Sequence, residues 1–502
     1  MSADPTLDRL IHTVLQPGFA GTSRPPAWLA RAVERGLGGV VYFSHNIGDV
    51  ETTGRLSRRL HDLGDVLIAT DEEGGIVSRL GARGGSPHVG AAMLGRADDT
   101  DATREVATAL GAGLRESGID IDLAPVVDVN SNPANPVIGV RSFGATPQLV
   151  ARQSVAYVEG IQRTGVAATA KHFPGHGDTS VDSHVGLPRV DCSAEVLWER
   201  ELAPFSAVID AGVRAVMTAH VIVPALDPTR PATISRTVLS VLRGELGFDG
   251  VVMTDALDMG AIRDTIGLGE GCVQALLAGA DLLGLGNPVL GADHPDKDQR
   301  VFTEAHEALT RAVREGRLPV ERLEDAAGRI TALRAWRRVH QDVSIAVGDA
   351  DASVARRALA HRGPMTLPAG GLRILDVRRS RNVAAGALPT TTVRALAEAA
   401  PGSAVTSAFE LPSAVEGHAD TEQLRPLSQL AVADVIVTGS PGLDPAEDEQ
   451  RRKALRANPD ALVLVVGYAH GDEPLDGARR AVWTFGDCLP TAAAVAELLT
   501  GG

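Results

Sequence analysis

The sequence has few cysteines and no long apolar run. Its three cysteines, Cys192, Cys272 and Cys488, lie far apart and form neither a disulfide framework nor a zinc-binding pattern. No stretch approaches the roughly 18 consecutive apolar residues of a membrane-spanning helix. The amino terminus has no basic segment followed by an apolar core, as a secretion signal would have. We therefore expect a cytoplasmic protein with no membrane partner.

Positive charge is also scarce. The formal net charge is −15, which opposes binding to nucleic acid, because a phosphate backbone attracts a basic surface. Hydrophobic residues make up 44% of the chain and charged residues 22%, as in globular proteins, and 502 residues suit two or three domains. Lysine occurs only at positions 171, 297 and 453. Lys171 is notable because it lies within the densest polar motif of the sequence.

A repeated pattern runs from about residue 39 to residue 330. Short, continuously apolar runs end in polar residues and are followed by helical stretches, as in parallel strands that are buried on both faces. Seven such units predict a (β/α)₈ barrel with its polar groups at the carboxyl ends of the strands, although no eighth strand is apparent. An open doubly wound sheet is the alternative. The runs cover residues 38–46, 65–75, 119–130, 165–177, 213–220, 250–258 and 280–287.

The pattern breaks after the barrel. We predict a catalytic barrel over residues 1–335, a connecting helix and linker over 336–370, and a second domain over 371–502. In the second domain, short apolar strands again alternate with Ala-rich helices, which predicts a smaller α/β sandwich with a parallel sheet. It has no glycine-rich fingerprint for a nucleotide.

The loop AKHFPGHGDTSVDSHVGLP, residues 170–188, is the most informative stretch. It combines Lys171 and His172 with further histidines and acids. Asp182 and His184 are separated by one residue, so the carboxylate can orient the imidazole for proton transfer. A metal site is the competing interpretation, but neither HxH nor HExxH spacing occurs.

A second motif, VVMTDALDMGA, places Asp255 directly after four apolar residues. A carboxylate at the mouth of a barrel can act as a nucleophile, whereas Asp before an Ala-Leu run also suits a helix N-cap. Asp258 is predicted to be the cap or an acid of the first turn. The two interpretations of Asp255 are equally good from this motif alone.

A third motif, IATDEEGGIVSRL, pairs Asp71 at a strand end with Arg79. A carboxylate beside a guanidinium suits the recognition of neighbouring sugar hydroxyls. Alternatively, the two form a structural ion pair between the strand and a following helix. Glu72 and Glu73 would then be first-turn acids that the helix dipole favours.

Two further residues are candidates. Arg141 lies on a loop shaped by Pro and Gly, NPANPVIGVRSFG, where the alternative is a turn with a solvated arginine. His220 ends the run MTAH, and a hydrogen-bonded structural histidine is an equally good interpretation of it.

Together these motifs resemble the bacterial β-N-acetylglucosaminidases of glycoside hydrolase family 3. The matching features are TDEEGG…R, VIGxRSFG, KHFPGHGDTxxDSH, TAHV…PALD and TDALDMGAI, in that order over about residues 30–335. The motif KHFPGHGDTxxDSH is highly specific, and the others are jointly strong. The second domain resembles the family's smaller domain only in its strand pattern.

The resemblance implies a retaining exo-glycosidase that needs no metal or cofactor. It implies that Asp255 is the nucleophile and that His184, oriented by Asp182, is the general acid/base. Asp71, Arg79, Arg141, Lys171 and His172 match the family's sugar-binding positions. The implied substrate carries a terminal N-acetylglucosamine, as cell-wall muropeptides and chitin fragments do. Val140 departs from the pattern, because many relatives carry an acid there, and this leaves open what holds Arg141.

Other functions remain open at this stage. A neutral imidazole repels an anion less than a carboxylate does, so phosphate can replace water as the acceptor, and some members of the subgroup are phosphorylases. A β-glucosidase is less favoured, because the chain has the histidine-containing DSH loop, which those relatives lack. A sugar-binding protein without catalysis would have lost Asp255 or His184, and both are present. A metal-dependent hydrolase is the last alternative.

Overall fold

In the computed structural model, the described residues form two large sheets, each covered by helices, and one small hairpin. None of the described helices combines the length and the apolar character that crossing a membrane requires. The structure describes residues 5–180, 187–287, 296–340, 348–368, 370–379, 384, 390–409, 432–468 and 475–500.

Eight short parallel strands form the first sheet, and all seven predicted runs contain one of them. Each strand is buried on both faces, which is why its sequence is continuously apolar rather than alternating. In chain order the strands are β1 (Leu15–Gln16), β2 (Gly39–Tyr42), β3 (Leu67–Thr70), β4 (Ile121–Asp122), β5 (Ala167–Phe173), β6 (Ala215–Thr218), β7 (Val251–Thr254) and β8 (Leu283–Gly284).

The strand that the sequence does not reveal is β1. It has only two residues, and it pairs in parallel with β8, with Leu15 opposite Leu283. Gly18 bridges to Val41 on the other side of β1, and Met253 bridges to Leu282 beside β8. The strand order β1 to β8 therefore closes into a barrel, which confirms the predicted fold.

The interior of the barrel is filled with apolar side chains and closed at one end by a helix. Leu67, Ala69, Met217 and Met253 belong to one buried cluster with Ile330. Ile330 lies on the long helix that follows the barrel, so this helix plugs the amino-terminal end of the strands. The opposite end, where β3, β5 and β7 end in polar residues, is left for a site.

Helices follow most of the strands and cover the outside of the barrel. Two π-helical turns, Leu197–Leu202 and Val241–Glu245, adjoin these helices. The helices of this part of the chain are α1 (Pro5–Thr13), α2 (Ala27–Glu34), α3 (Val50–Leu63), α4 (Ala91–Ala97), α5 (Thr100–Glu116), α6 (Pro147–Arg163), α7 (Ala194–Val196), α8 (Ala203–Asp210), α9 (Arg236–Ser240), α10 (Gly260–Arg263), α11 (Leu268–Ala278), α12 (Lys297–Arg314) and α13 (Val320–His340).

The second sheet has six strands, of which five are parallel. The elements of this part of the chain are α14 (Asp351–Ala358), β9 (Ala360–Arg362), β10 (Arg373–Asp376), α15 (Thr391–Ala399), β11 (Ala404–Ser407), β12 (Val435–Thr438), α16 (Pro445–Ala457), β13 (Leu462–Val465), β14 (Arg480–Trp483) and α17 (Leu489–Thr500). The strand order is β9-β14-β13-β12-β10-β11, and among these described strands only the edge strand β9 is antiparallel to its neighbour. This is the predicted α/β sandwich.

The region predicted as a linker, 336–370, contains regular structure. Helix α13 continues through residue 336 to His340, and α14 and β9 follow within the same region. Strand β9 pairs with β14 and is part of the second sheet. The division at residues 335 and 370 remains a prediction.

Asp281 anchors the amino-terminal end of the barrel. This fully buried carboxylate accepts hydrogen bonds from Arg243 at 2.5 Å, Arg322 at 2.7 Å and the Val252 main-chain N–H at 2.9 Å. It thereby ties β7 to the arginines of two helical segments. Removing the carboxylate leaves the buried Val252 N–H without its acceptor and takes the counter-charge from two arginines whose side chains are only 21% and 15% exposed.

We therefore expect Asp281→Ala to lower the free energy of unfolding by about 3–5 kcal/mol. Urea unfolding followed by circular dichroism measures the change. Asp325→Ala is the matched control, because Asp325 pairs with Arg322 and Arg329 while its side chain is 52% exposed. Its loss should cost less than about 1 kcal/mol. Equal effects of the two substitutions would contradict the anchoring role.

Candidate active site

Asp71 leads from β3 into a tight hairpin rather than a helix. Glu72–Gly74 pair with Val77–Ser78, and the next helix, α4, begins only at Ala91. The hairpin needs glycine at its turn, where Gly74 and Gly75 have φ of 76° and 58°. The alternative interpretation of Glu72 and Glu73 as first-turn acids of a helix is therefore wrong.

Glu73 holds two buried cations at the mouth of the barrel. Its carboxylate accepts two hydrogen bonds from Arg141, at 2.9 Å and 2.7 Å, and lies 2.8 Å from the Lys171 Nζ. Burial alone would raise the pKa of Glu73, but the charges of Arg141 and Lys171 hold it well below its usual range. Glu73 is therefore ionised, and it fixes both cations.

The holder of Arg141, left open by the sequence, is thus Glu73 together with a main-chain group. The guanidinium also donates to the Val137 carbonyl at 3.2 Å. An acid at position 140 is not needed, because Glu73 reaches the guanidinium from the hairpin that follows β3. The bidentate geometry leaves Arg141 in one fixed orientation.

Asp71 completes this cluster. One carboxylate oxygen accepts a hydrogen bond from Lys171 at 2.8 Å, and the other lies 3.3 Å from Arg79. Burial would raise the pKa of Asp71, but Lys171 and Arg79 lower it below its usual value. Lys171 in turn keeps a raised pKa, because Asp71 and Glu73 outweigh the effect of its burial. The predicted pairing of Asp71 with Arg79 is present, with Lys171 between the acids.

His172 is oriented by a buried aspartate. Its Nδ1 lies 2.7 Å from a carboxylate oxygen of Asp128, and Arg141 donates to its Nε2 at 3.5 Å. Asp128 also accepts from the main-chain N–H of His176 at 2.7 Å. Burial would raise the pKa of Asp128, but His172 lowers it. The aspartate therefore fixes both the ring of His172 and the loop that follows it.

His176 packs beside His172 and is also buried. Its ring is 6.0 Å from that of His172, centroid to centroid, and its Nδ1 is 2.7 Å from the Thr179 hydroxyl. Burial is the main cause that lowers the pKa of His176 to about 4, and it outweighs the opposing charges of Asp128 and Asp255. His176 is therefore neutral at pH 7.

Asp255 follows β7 directly and is partly buried. Its main-chain N–H donates to the Thr218 carbonyl at 3.2 Å, and its Oδ1 accepts the Ala256 N–H at 2.7 Å. The N-cap of the next helix, α10, is Met259, and that helix has no acid in its first turn. The N-cap interpretation of Asp255 and the predicted capping role of Asp258 are both wrong.

His220 has a structural position. Its Nδ1 lies 2.8 Å from the Thr233 hydroxyl, and its Nε2 donates to the Ala256 carbonyl at 2.9 Å. The ring is fully buried. His220 therefore supports the turn that carries Asp255, as the structural interpretation of this residue predicts.

Asp182 and His184 lie outside the described residues, because the structure describes the chain up to residue 180 and again from residue 187. The start of their loop is tied to the barrel, because Asp178 pairs with Arg200 at 2.5 Å. Arg200 also pairs with the buried Glu201 at 2.6 Å.

The second domain reaches the barrel mouth. Phe485 and Gly486, just after β14, line a small cavity together with Glu73, Gly75 and Arg141. The guanidinium of Arg96 lies 4.6 Å from the centroid of the Phe485 ring. The loop after β14 therefore packs behind the hairpin that carries Glu73.

The sequence does not identify two residues of the site, Glu73 and Asp128. Glu73 is visible there only as one of two adjacent acids, and Asp128 as the end of an apolar run. The sequence nevertheless contains a signal for Glu73. It places two cations, Arg141 and Lys171, at the mouth of the barrel, and it has no acid at position 140 to pair with Arg141.

Fold and site together define a class of protein. Five predicted side chains meet at the carboxyl ends of the strands of a closed parallel barrel, namely Asp71, Arg79, Arg141, Lys171 and His172. Asp255 emerges at the same end. A barrel whose charged and hydrogen-bonding side chains converge at this end is a barrel enzyme.

The particular family follows from comparisons with known proteins. Residues 6–333 match the model of the glycosyl hydrolase family 3 N-terminal domain. The chain belongs to glycosyl hydrolase family 3.

Related proteins agree with this assignment. The chain is 36% identical over 340 residues to Beta-hexosaminidase A of Pseudoalteromonas piscicida, an alignment that covers 63% of this chain and 56% of that protein. It is 37% identical over 285 residues to a Beta-hexosaminidase of Xylella fastidiosa strain M23, covering 55% of this chain and 84% of the relative. The chain therefore spans little more than half of the first relative's length.

A solved structure resembles both domains. A glycoside hydrolase family 3 beta-N-acetylglucosaminidase from Paenibacillus sp. str. FPU-7 has a TM-score of 0.83 and 32% sequence identity. The match covers 99% of this chain and 96% of that one. The two chains therefore share their fold over nearly their whole lengths.

Proposed function

We propose that the protein is a retaining exo-β-N-acetylglucosaminidase that releases terminal N-acetylglucosamine through a covalent glycosyl-enzyme. The observation that carries the proposal is the buried cluster of Asp71, Glu73, Arg141 and Lys171 at the same barrel end as Asp255. Such fixed donors and acceptors recognise the hydroxyl groups of one sugar ring. The similarity to the beta-N-acetylglucosaminidase from Paenibacillus supports the choice of sugar.

Asp255 acts as the nucleophile. Its carboxylate attacks the anomeric carbon and forms an ester with the sugar, while the bond to the leaving oxygen breaks. The Ala256 N–H holds the Oδ1 of this carboxylate by a hydrogen bond of 2.7 Å. His220 supports this geometry, because its Nε2 donates to the carbonyl of Ala256, the residue whose N–H holds the Asp255 carboxylate.

The sugar hydroxyls bind to the charged cluster. Lys171 and Arg79 donate, and Asp71 accepts, so one hydroxyl can bridge between an acceptor and a donor. Arg141 and His172 are held by Glu73 and Asp128 and form the neighbouring part of the wall. Because these partners are buried, the cluster has its binding geometry before the sugar arrives.

His184 serves as the general acid and then as the base, with Asp182 orienting its imidazole. The imidazolium protonates the leaving oxygen in the first step, and the neutral ring accepts a proton from water in the second. Most glycosidases use a second carboxylate for this purpose.

We therefore expect His184→Ala to slow substrates with poor leaving groups far more than those with good ones. A natural disaccharide should lose about 10²–10⁴-fold in kcat/KM, the usual contribution of a general acid. The kcat/KM of an aryl glycoside with an acidic phenol should change by less than about tenfold, because its leaving group needs no proton. A series of aryl β-N-acetylglucosaminides measures the dependence. Equal losses across the series would mean that His184 is structural.

The acceptor in the second step, water or phosphate, decides whether the protein is a glycosidase or a phosphorylase. Incubation with an aryl β-N-acetylglucosaminide, with and without phosphate, followed by mass analysis of the sugar, tests both. We expect free N-acetylglucosamine at a rate that phosphate does not change. N-Acetylglucosamine 1-phosphate, formed faster as phosphate rises, would make the protein a phosphorylase with the same residues. No sugar product in either case would contradict the proposed function.

The natural substrates we propose are cell-wall muropeptides or chitin fragments within the cytoplasm. The three cysteines are free thiols, and two of them are buried, as suits a reducing compartment. Release of N-acetylglucosamine from a purified muropeptide would support this assignment, and activity on chitin oligosaccharides alone would contradict its cell-wall part.

A further inference from the structure

A second cluster of titratable side chains lies on the outside of the barrel. Asp8 and His12 are one turn apart on α1, and His306 lies on α12. Each offers one ligand atom, and these atoms all lie within 4.8 Å of one another. It is the one such group of at least three His, Cys, Asp or Glu side chains within the ranges that the structure describes.

We propose that Asp8, His12 and His306 form a structural Zn²⁺ site that joins the first helix of the barrel to the helix after its last strand. Two imidazoles and one carboxylate are donors that zinc prefers, and a fourth position is left for water. The site is separate from the catalytic machinery, because α1 precedes β1 and so lies toward the amino-terminal end of the strands.

The distances suit a small ion after a modest adjustment. His306 Nε2 lies 3.1 Å from Asp8 Oδ1, and His12 Nδ1 lies 3.5 Å from Asp8 Oδ2. With zinc–ligand bonds of about 2.0–2.1 Å, tetrahedral donors are roughly 3.3 Å apart. The two pairs already have nearly this spacing, and the third pair, His12 with His306, lies within 4.8 Å and closes around the ion. His12 Nδ1 lies 2.7 Å from the Asp8 main-chain carbonyl, and the metal would replace this hydrogen bond. Asp8 and His306 are partly exposed, with 20% and 22% of their side chains accessible, so neither is enclosed on all sides.

The surroundings of the cluster are mostly buried and apolar. The side chain of His12 is 3% exposed. Phe302 packs against both rings, at centroid distances of 5.7 Å from His12 and 6.1 Å from His306. This apolar side strengthens the attraction between the ion and its ligands.

One charge opposes the ion. The Arg35 guanidinium lies 3.9 Å from Asp8 Oδ2, but its side chain is 61% exposed. An exposed arginine can move into solvent when a dication arrives, so the repulsion is largely screened. Asp8 then exchanges a weak surface contact for a bond to the metal.

The position of the site indicates its role in the fold. The helices α1 and α12 flank β1 and β8, the two strands that close the barrel through a pairing of only two residues each. An ion that connects these helices holds the first and last segments of the barrel together. Zinc bound only to the folded state stabilises that state by mass action.

Zinc titration of the EDTA-treated full chain tests the proposal. Calorimetry should show one site with a micromolar or lower dissociation constant, and zinc should raise the thermal midpoint by several degrees. Co²⁺ in place of zinc should give the visible d–d bands of a tetrahedral complex. His306→Ala should weaken binding by about 100-fold or more, beyond the 10–100-fold that outer-shell changes cost, and should abolish the zinc-dependent rise.

His61→Ala is the matched control. His61 also bonds to an aspartate, Asp120, at 2.9 Å and has a side chain that is 29% exposed, but it belongs to no group of three ligands within the described residues. Its substitution should leave zinc binding unchanged. The proposal is overturned if the wild type binds no zinc, or if His306→Ala binds as tightly as His61→Ala. A loss of stability in His306→Ala that is the same in EDTA and in zinc would also overturn it, because a hydrogen bond alone explains that result.

Discussion

Asp255→Ala should abolish turnover on every substrate, including aryl glycosides with good leaving groups. Without the carboxylate no glycosyl-enzyme forms, and a good leaving group does not replace the missing nucleophile. We expect kcat to fall by about 10⁴-fold or more, the scale seen when a member of a catalytic unit is removed. Initial rates with an aryl β-N-acetylglucosaminide measure the loss.

The control for Asp255→Ala is Asp264→Asn, further along the same segment. Asp264 pairs with the adjacent Arg263, and its side chain is 62% exposed. Its substitution should leave kcat within about twofold, since exposed ion pairs contribute little. A substantial residual activity of Asp255→Ala, at a rate near that of the control, would remove Asp255 from the role of nucleophile.

Glu73→Gln should also cause a large loss of activity. The substitution removes the charge that holds Arg141 and Lys171, both of which remain buried. An amide cannot accept both hydrogen bonds from the guanidinium, so Arg141 loses its fixed orientation. We expect kcat/KM to fall by about 10²–10³-fold, which corresponds to roughly 3–4 kcal/mol. Steady-state kinetics and thermal unfolding of the same preparation measure activity and folding separately.

Glu72→Gln tests whether this effect belongs to the site rather than to the hairpin. Glu72 is equally buried, but its carboxylate accepts from Ser78 and from the main-chain N–H groups of Arg79 and Leu80. Burial raises the pKa of Glu72, so Glu72→Gln alters the charge of the site less than Glu73→Gln does. We expect a loss below about tenfold. If both glutamines gave the same loss of activity, the role of Glu73 as the holder of the two cations would be wrong.

Most of the barrel could be predicted from sequence because its strands are buried on both faces. Runs such as Val251–Thr254 are continuously apolar and stand out between helices. Strand β1 could not be predicted, since two residues carry no periodicity and its pairing partner lies more than 260 residues away. The strands Ala360–Arg362 and Ala404–Ser407 were missed for a related reason, because both are edge strands with few buried residues.

The candidate site was predictable where a motif is local. Lys171 and His172 adjoin in sequence, and Asp71 and Arg79 are eight residues apart, so their types and spacing pointed to one mouth. Glu73 was not predictable in its role, because its contacts lie far along the chain at Arg141 and Lys171. The helix expected after Asp71 was wrong since two glycines with positive φ turn the chain into a hairpin.

Asp255 shows how tertiary structure decides between two local interpretations. An aspartate before an Ala-Leu run suits a helix N-cap, and the sequence alone does not distinguish that role from a catalytic one. In the structure the helix begins later, after Met259, so no capping role accounts for Asp255. Its carboxylate is held by the adjacent Ala256 N–H at the mouth of the barrel.

Intact-protein mass spectrometry of His184→Ala during turnover of an aryl β-N-acetylglucosaminide tests the central claim most directly. This substrate needs no acid to form the glycosyl-enzyme, whereas its hydrolysis lacks the base and is slow, so the intermediate accumulates. We predict that the protein gains the mass of one N-acetylglucosamine residue and that peptide mapping places it on Asp255. An adduct on another residue, or turnover with no adduct and an inverted product, would contradict the account.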